Sequence, residues 1–446
     1  MAGRTVDWQD ELSRWLKPFL DRLGHKARRR MCPFYVSGLI GPGDRKSIQP
    51  MARRLALGES DQLHHFIAGG VWDAAPVETE LLVQADRLVG GRDAVLVIDD
   101  TAIPKKGMHS VGVAAQYASA LGKTANCQTL VSLTLARGEV PVMLALRLFL
   151  PESWTSKRAR LQRAGVPAEH RISRTKPELA LAELDRVIAA GVRFRCVLAD
   201  AGYGLSASFR QGLTARKLAW AVGIPRHLKI YPADVQMIWP VAKRGRPRKR
   251  HIPDVLSKAA ENMLAAARWQ TISWRTGTKG KLKARFAAVR LRIADGPPQR
   301  IRDKGQQHLP GEEVWLIGEH RMSGEKKYYF ANLPVGTDLR TLAATIKARW
   351  VCEQAHQQLK EELGLDHFEG RSWQGLHRHA LMTMIAYAFL QYRRLGAARR
   401  KKRISGPPPQ PTLPAVRHAI LELIARPPPR RCPHCRKWLC NEQQRE

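Results

Sequence analysis

The sequence predicts an α/β protein, a mixed sheet flanked by helices and interrupted by a β-rich insertion. Apolar runs at residues 94–98 and 195–199 are typical of strands that are buried on both faces. Strand patterns at residues 126–136 and 141–150 are joined by a short turn, which indicates an antiparallel hairpin. A helical pattern at residues 177–190 separates this hairpin from the next strand. A hairpin combined with strand–helix–strand units defines a mixed α/β sheet.

The first 90 residues have a helical pattern. Leu12, Leu16 and Leu23 belong to an apolar set that recurs at helical spacing, and Pro and Gly residues separate the helices that follow. Short helices with scattered arginines are compatible with a helix-turn-helix DNA reader and equally with a helical packing domain. The sequence leaves both interpretations open.

Beyond residue 225 the alternation of strands and helices is interrupted. Two strand patterns, at residues 269–276 and 284–293, predict a β-rich insertion. One long helix is then predicted over residues 339–363, and an apolar, buried helix over residues 379–392. The last residues are basic and rich in Pro. We therefore expect five segments: a helical domain at 1–90, which is a candidate DNA-binding domain, two parts of one mixed-sheet domain at 91–225 and 336–395, a β-rich insertion at 226–335 and a basic Pro-rich tail at 396–446.

The chain is strongly basic. Lys and Arg total 75 against 39 Asp and Glu, which gives a formal net charge of +36. Such an excess indicates a polyanionic partner, and nucleic acid fits it best. No apolar run reaches the length of a membrane helix, about 18 residues, and the first ten residues lack the apolar core of a signal peptide. We expect a cytoplasmic, DNA-binding protein with no membrane partner.

Four acidic residues stand at positions that favour metal binding. Asp99 and Asp100 end the first buried strand, Asp200 ends the fourth, and Glu353 lies inside the long helix. Ligands bind outside the carboxyl ends of strands in open α/β sheets, and clustered carboxylates hold Mg²⁺. Taken singly, each residue has an ordinary interpretation as a turn cap or an exposed helical charge. Together, in a basic protein, they predict ion-assisted chemistry on phosphodiesters.

Three separated segments carry a resemblance to a known family. They are residues 97–107 (VIDDTAIPKKG), residues 198–204 (LADAGYG) and residues 349–360, which are followed by FEGRSW at residues 368–373. Over residues 95–392 the chain resembles the DDE-type insertion-sequence transposases of bacteria. Their helical signature is Tyr-x2-Arg-x3-Glu-x6-Lys; Arg349, Glu353 and Lys360 stand at these spacings, and Ile346 replaces the Tyr.

The resemblance implies a fold and a set of site residues. The expected fold is an RNase H-like catalytic domain with a β-strand insertion. Asp200 and Glu353 are implied as the second and third metal-binding carboxylates. The family's Asp-x-Thr pattern favours Asp99 over Asp100 as the first. Neighbouring side chains point to opposite faces of a strand, so one of the two is expected to reach the metals. The implied cofactor is Mg²⁺, with Mn²⁺ as a substitute.

The resemblance also implies an activity. A transposase binds the terminal inverted repeats of its element, cuts at the ends and joins 3′-hydroxyls to target DNA. Two ends must be brought together, so a homodimer acting at the bacterial nucleoid is expected. Two alternatives stay open: a nuclease of the same fold that only hydrolyses DNA, and a catalytically silent DNA-binding protein descended from a transposase.

Basic residues provide candidate DNA contacts. Arg349 and Lys360 share one helical face with Glu353, where they either hold DNA phosphates or orient the neighbouring acids. The Arg-Gly-Arg-Pro core of residues 243–251 resembles an AT-hook minor-groove motif, with a solvated basic loop as the alternative. The predicted DNA-binding residues are Arg349, Lys360, Arg371, Arg244, Arg246, Arg248 and Lys249.

Two groups of residues have weaker functional interpretations. Trp269, Trp274 and Trp315 lie in the insertion, where an aromatic residue can stack on an extruded base, although most strand tryptophans belong to the core. The tail contains Cys432, His434, Cys435 and Cys440. A structural zinc prefers four well-spaced ligands, so we do not expect zinc there.

Overall fold

The computed structural model describes residues 8–55, 60–118, 121–239, 250–277, 280–300, 306–400 and 411–425. Its first part is a group of helices that pack against the sheet domain. Leu12, Leu16 and Tyr35 are buried in the same apolar cluster as Leu96 and Ile98 of the sheet. The helices are α1 (Trp8–Asp21), α2 (Lys26–Ile40), α3 (Ile48–Arg54), α4 (Asp61–His64), which continues into a π-helical turn (His65–Gly69), and α5 (Ala75–Val89).

The predicted mixed sheet is confirmed. Its first strands are β1 (Ala94–Pro104), β2 (Ala114–Ala118), β3 (Lys123–Arg137), β4 (Val140–Leu148), β5 (Cys196–Ala199) and β6 (Trp220–Ile224). They lie in the order β4–β3–β1–β5–β6, with β2 beside the first residues of β3. The β1–β3 and β3–β4 pairs are antiparallel, whereas β1–β5 and β5–β6 are parallel. This is the predicted RNase H-like arrangement of a hairpin joined to parallel strands.

Helices connect these strands. They are α6 (Glu152–Thr155), α7 (Arg158–Arg163), α8 (Lys176–Ala189), α9 (Ala201–Gly204) and α10 (Ala207–Ala215). A capping box fixes the start of α8, because the Thr175 hydroxyl accepts the Glu178 N–H and the Glu178 carboxylate accepts the Thr175 N–H. Asp200 caps the single turn of α9. Both helix starts lie close to the predicted acidic residues.

The insertion extends the same sheet. Its elements are β7 (Lys229–Pro232), β8 (Met237–Ile238), β9 (Ile252–Pro253), β10 (Lys258–Ala259), α11 (Ala260–Met263), β11 (Gln270–Gly277), β12 (Gly280–Ile293), β13 (Pro298–Arg300), β14 (Gln306–His308), β15 (Glu313–His320) and β16 (Lys326–Ala331). β16 pairs antiparallel with β6, and the order continues through β15, β12 and β7 to β10, with β11 paired to β12.

Four helices end the described chain: α12 (Leu339–Lys347), α13 (Trp350–Glu361), α14 (Trp373–Arg400) and α15 (Leu413–Ala425). The prediction of one continuous helix over residues 339–363 was wrong, since turn residues Ala348 and Arg349 separate α12 from α13. α12 packs on β11 and β12 of the insertion, whereas α13 packs on β1 and β4. The interruption therefore lets one helical segment serve two parts of the sheet. No described helix is long and apolar enough to cross a membrane.

The two faces of β1 bury different apolar sets, as the continuous apolar run predicts. Leu96 and Ile98 join the cluster that contains the N-terminal helices and α14. Val95 and Val97 join a second cluster with α12 and the first turn of α13. A strand covered on both faces holds its end in a fixed place, which makes that end a rigid platform for side chains.

The turn after β5 depends on a close backbone approach. A Cβ added at Gly204 would lie 1.9 Å from the main-chain oxygen of Gly223 in β6, a distance that no real contact allows. Gly204 is therefore required for α9 to sit against β6. This packing fixes where Asp200, at the start of the same turn, is held.

Replacing Gly204 by Ala tests this approach. We expect Gly204→Ala to lower the free energy of unfolding by about 2–3 kcal/mol, because backbone must move to remove the overlap. The control is Gly396→Ala in α14, where an added Cβ meets nothing within 4 Å. That change should raise the free energy of unfolding by about 0.5–1 kcal/mol. Urea titration measures both, and equal stability of Gly204→Ala and wild type would contradict the packing argument.

Candidate active site

The candidate site lies where β1 extends beyond the end of its parallel neighbour, β5. β5 ends at Ala199, which pairs with Ile98, while β1 continues to Pro104 along β3. The edge of β1 beyond Ile98 therefore opens into a cavity of about 1110 Å³. All four predicted acidic residues line this cavity, together with Arg349, His356 and Lys360: Asp99, Asp100, Asp200 and Glu353.

Asp99 is the most enclosed of the four, with 8% of its surface exposed. Its Oδ1 accepts the Asp100 N–H at 2.8 Å, and its Oδ2 accepts Arg349 Nη1 at 2.5 Å and the Cys352 thiol at 3.1 Å. Burial raises the pKa of Asp99, and the Arg349 guanidinium opposes that rise. The carboxylate is thus held by protein donors on both oxygens.

The Asp200 carboxylate stabilises the helical turn that follows it. Its Oδ1 accepts the N–H groups of Gly202 at 3.0 Å and Tyr203 at 3.2 Å, which is the capping geometry of a helix start. Burial raises the pKa of Asp200, and the charge of Asp99 raises it further. The two carboxylates therefore interact across the cavity, although they come from different strands. The Asp-Ala-Gly-Tyr-Gly sequence positions this side chain by local hydrogen bonds.

Asp100 has a different environment. It forms an ion pair with Lys176 at the start of α8. Asp99, by contrast, lies toward α13 through its contacts with Arg349 and Cys352. The adjacent carboxylates flank the same cavity from opposite sides of β1. Asp99 contributes more than Asp100 to the raised pKa of Asp200, which favours Asp99 as the closer partner of Asp200.

Arg349 joins two of the acidic residues. Its Nη1 donates to Asp99 and its Nη2 donates to Glu353 Oε1 at 2.6 Å. Burial acts to lower the pKa of Arg349, but the surrounding acidic groups, Asp99 foremost, together outweigh it and hold that pKa above its usual range. Glu353 itself is open to the cavity, with 62% of its side chain exposed. In this structure Arg349 orients the acids, which is one of the two roles the sequence allowed.

The remaining face of α13 also reaches the cavity. Lys360 Nζ donates to the Ala102 carbonyl at 2.8 Å, and burial lowers the pKa of Lys360. His356 is buried, which lowers its pKa to about 4, and its Nε2 lies 2.8 Å from Ser132 Oγ. The sequence analysis assigned no role to His356, Ser132 or Cys352. Helical spacing from Glu353 was the available signal for His356, whereas Ser132 and its contacts depend on tertiary structure.

One other predicted DNA-binding residue, Arg371, is among the described residues, and it lies apart from this cavity. Arg371 is exposed; its carbonyl accepts the Val111 N–H at 3.2 Å, and its side chain does not line the cavity. Arg244, Arg246, Arg248 and Lys249 lie outside the described residues, and so do the four tail residues considered for zinc. These predictions stay predictions.

The three tryptophans of the insertion have separate surroundings. Lys347 Nζ lies 4.7 Å from the Trp274 ring centroid, and the Arg290 guanidinium lies 5.3 Å from that of Trp315. Trp269 lines a second cavity, of about 620 Å³, with Arg226, Arg285 and other residues of the insertion. None of the three lines the cavity of the acidic residues.

The donor set suits a hard divalent cation, since carboxylate oxygens from Asp99, Asp200 and Glu353 face one cavity. Within the described part of the chain, however, no group of three or more His, Cys, Asp or Glu side chains is close enough to hold a metal ion. Arg349 stands between Asp99 and Glu353 and keeps both paired. The residues therefore fit the ion by chemistry, and binding it would require Arg349 to give up at least one carboxylate.

Comparison with known proteins shows the family to which the chain belongs. Residues 18–281 match the family described as DDE superfamily endonuclease, more than half of the chain, and the protein belongs to that family. The match includes Asp99, Asp100 and Asp200 and ends before Glu353. The predicted family relationship is thereby confirmed.

Two further likenesses involve transposases. A curated relative, the probable transposase for insertion sequence element IS701 of Microchaete diplosiphon, is 32% identical over 206 residues, which are 46% of this chain and 50% of the relative. The chain thus spans about half the length of that relative. A structure of the piggyBac transposase synaptic complex with hairpin DNA has a TM-score of 0.41 and 10% identity over 94% of this chain and 77% of its own. The fold assignment depends on strand order and not on this likeness.

The bridging role of Arg349 can be tested by stability. Arg349→Gln should lower the free energy of unfolding by about 2–3 kcal/mol, because it leaves the buried Asp99 carboxylate without its cation. The control is Arg45→Gln, which breaks an ion pair with Glu369 whose side chains are 68% and 61% exposed. That change should lower the free energy of unfolding by less than about 1 kcal/mol. Denaturant titration at pH 7 compares them, and equal effects would show that the bridge is not stabilising.

Proposed function

We propose that this protein is a DNA transposase that cleaves DNA at the ends of its element and joins the 3′-hydroxyls to target DNA by two-metal phosphoryl transfer. The observation that supports this most is the convergence of Asp99, Asp200 and Glu353 on one cavity. They come from three segments far apart in sequence, in a protein of formal net charge +36. Carboxylates held by a basic protein suit ion-assisted chemistry on a polyanion.

Each side chain has a distinct task in this proposal. Asp99, Asp200 and Glu353 would hold the divalent ions, Mg²⁺ or Mn²⁺ in its place. Bound there, the ions supply the charge that activates a water or a 3′-hydroxyl and stabilises the leaving oxygen. Arg349, just before α13, and Lys360, in its last turn, lie on either side of Glu353 in sequence and would bind phosphate oxygens near the scissile bond. Arg349 already donates two hydrogen bonds to carboxylate oxygens, and phosphate oxygens accept in the same manner.

DNA recognition would extend beyond the cavity. The proposed partners are the terminal inverted repeats and the target DNA, with two ends synapsed by a homodimer in the bacterial cytoplasm at the nucleoid. The helical segment at residues 1–90 and the basic residues Arg244, Arg246, Arg248, Lys249 and Arg371 are the proposed contacts outside the site. Minor-groove insertion of arginines is the mode that suits the Arg-Gly-Arg-Pro sequence.

One observation favours a second candidate function. The acidic side chains are not gathered into a metal-sized group among the described residues, and Arg349 pairs with two of them. A catalytically silent DNA-binding protein of the same family would retain such an arrangement. The two candidates differ in one outcome, which is cleavage of cognate DNA ends.

The test is cleavage of DNA that carries both borders of the protein's own gene locus, with Mg²⁺ and with Mn²⁺. We expect cuts at the borders, reduced more than a hundredfold in Glu353→Gln, because losing even an outer-sphere metal contact costs about 10- to 100-fold. Glu422→Gln in α15 is the matched control, the same change at an exposed residue that does not line the cavity.

The products distinguish the candidate functions. Joined DNA would establish a transposase, and cut but unjoined DNA would indicate a nuclease that only hydrolyses. Tight border binding by the wild type, with no cleavage under either metal, would overturn the proposed catalysis and favour the silent DNA-binding protein.

A further inference from the structure

The main-chain carbonyl of Asp99 accepts hydrogen bonds from two side-chain hydroxyls. Ser132 Oγ lies 3.1 Å from this oxygen, and the Tyr203 hydroxyl lies 3.3 Å from it. Ser132 is the β3 residue paired with Asp99, and its hydroxyl in turn contacts His356. We call this group the Asp99 carbonyl clasp: Asp99, Ser132, Tyr203 and, through Ser132, His356.

Two members of the clasp belong to the segments of the other acidic residues. Tyr203 lies in α9, and its N–H donates to Asp200 Oδ1 at 3.2 Å. His356 lies on α13, one helical turn after Glu353, and its Nε2 is 2.8 Å from Ser132 Oγ. The carbonyl oxygen of Asp99 is therefore the point where the three segments that carry the candidate metal ligands are linked.

The direction of every hydrogen bond in the clasp is fixed. A carbonyl oxygen only accepts, so the Ser132 hydroxyl must donate to Asp99. The Ser132 oxygen can then accept from His356, which places the imidazole proton on Nε2. Burial keeps His356 neutral at pH 7, because it lowers the pKa to about 4, and this agrees with a single ring proton. The network has one consistent arrangement, which favours one relative placement of the strands and α13.

The clasp uses the backbone of Asp99 and leaves its carboxylate free of these contacts. The hydroxyls come from two different elements, since Tyr203 lies in α9, while Ser132 lies in β3 and contacts His356 on α13. Asp99 can thus exchange Arg349 for another cation while its main chain stays in place. A metal site requires this combination of fixed backbone and available oxygens.

We infer that the Asp99 carbonyl clasp sets the spacing of Asp99, Asp200 and Glu353, so that Ser132, Tyr203 and His356 are positioning residues of the metal site. This inference rests on the proposed function, in which these carboxylates hold divalent ions. Outer-sphere hydrogen bonds that orient ligands are worth about 10- to 100-fold in metal affinity. Two of the three hydrogen bonds in the clasp are longer than 3.0 Å. We therefore expect their effect on metal affinity to be at the lower end of that range.

The first experiment measures Mn²⁺ binding to the DNA-free protein by loss of the free-Mn²⁺ EPR signal. Tyr203→Phe removes only the hydroxyl and should raise the half-saturating Mn²⁺ concentration about tenfold. Tyr231→Phe is the matched control, since its hydroxyl also donates to a main-chain carbonyl, that of His308, at 2.9 Å. This control lies in the insertion and should leave Mn²⁺ binding unchanged.

A second pair of variants separates positioning from stability. His356→Leu removes the donor to Ser132, whereas His356→Gln can retain one at the position of Nε2. We expect weaker Mn²⁺ binding in His356→Leu and recovery in His356→Gln. Tyr203→Phe and Ser132→Ala should also be non-additive in Mn²⁺ affinity, because they act on one oxygen. Melting temperature and DNA binding in EDTA are measured beside each variant.

The outcomes separate the clasp from the function on which it rests. Lower melting temperatures with unchanged Mn²⁺ affinity would overturn the positioning role and leave the proposed metal site intact. A wild type that binds no Mn²⁺, with or without border DNA, would overturn both. Weaker Mn²⁺ binding in Tyr203→Phe and His356→Leu, with Tyr231→Phe and His356→Gln like wild type, would support the clasp.

Discussion

The candidate site depends on the unequal pairing of the central strand. β1 is paired with β3 along its whole length but with β5 only as far as Ile98. Because β1 and β5 are parallel, their carboxyl ends open at the same edge, and the residues just beyond them face one cavity. Asp99 and Asp200 are those residues. α13 then brings Glu353 to the same cavity from the far end of the chain.

Charge is the second constraint on this arrangement. Burial raises the pKa values of Asp99 and Asp200, and the charge of Asp99 raises the pKa of Asp200 further. Arg349 offsets the electrostatic cost of a buried, ionised Asp99 through its ion pair with that residue, and it pairs with Glu353 at the same time. The Arg349 guanidinium thus places a positive charge beside the carboxylates that hold metal ions in the proposed function. In that function the same guanidinium binds a phosphate of the DNA. Exchange of ion-pair partners at Arg349 is the central step that the proposed chemistry requires of this structure.

Local sequence patterns predicted the sheet and the acidic residues, because both have short-range signals. An apolar run followed by Asp marks a buried strand end, and helical spacing places Arg349 with Glu353. The break between α12 and α13 could not be predicted, since it arises from packing on two parts of the sheet. The same holds for Ser132 and Tyr203, whose contacts with Asp99 join residues 33 and 104 positions away. Nor did strand patterns show that the insertion continues the sheet through β6 and β16.

In the proposed function, Asp99, Asp200 and Glu353 form one divalent-metal site. Anomalous diffraction from crystals grown with Mn²⁺ would locate the ion independently of activity. We expect anomalous density in the cavity, coordinated by oxygens of these three residues, with Arg349 released from at least one of them. Ordered Mn²⁺ held by Asp100 in place of Asp99, or bound outside this cavity, would contradict it.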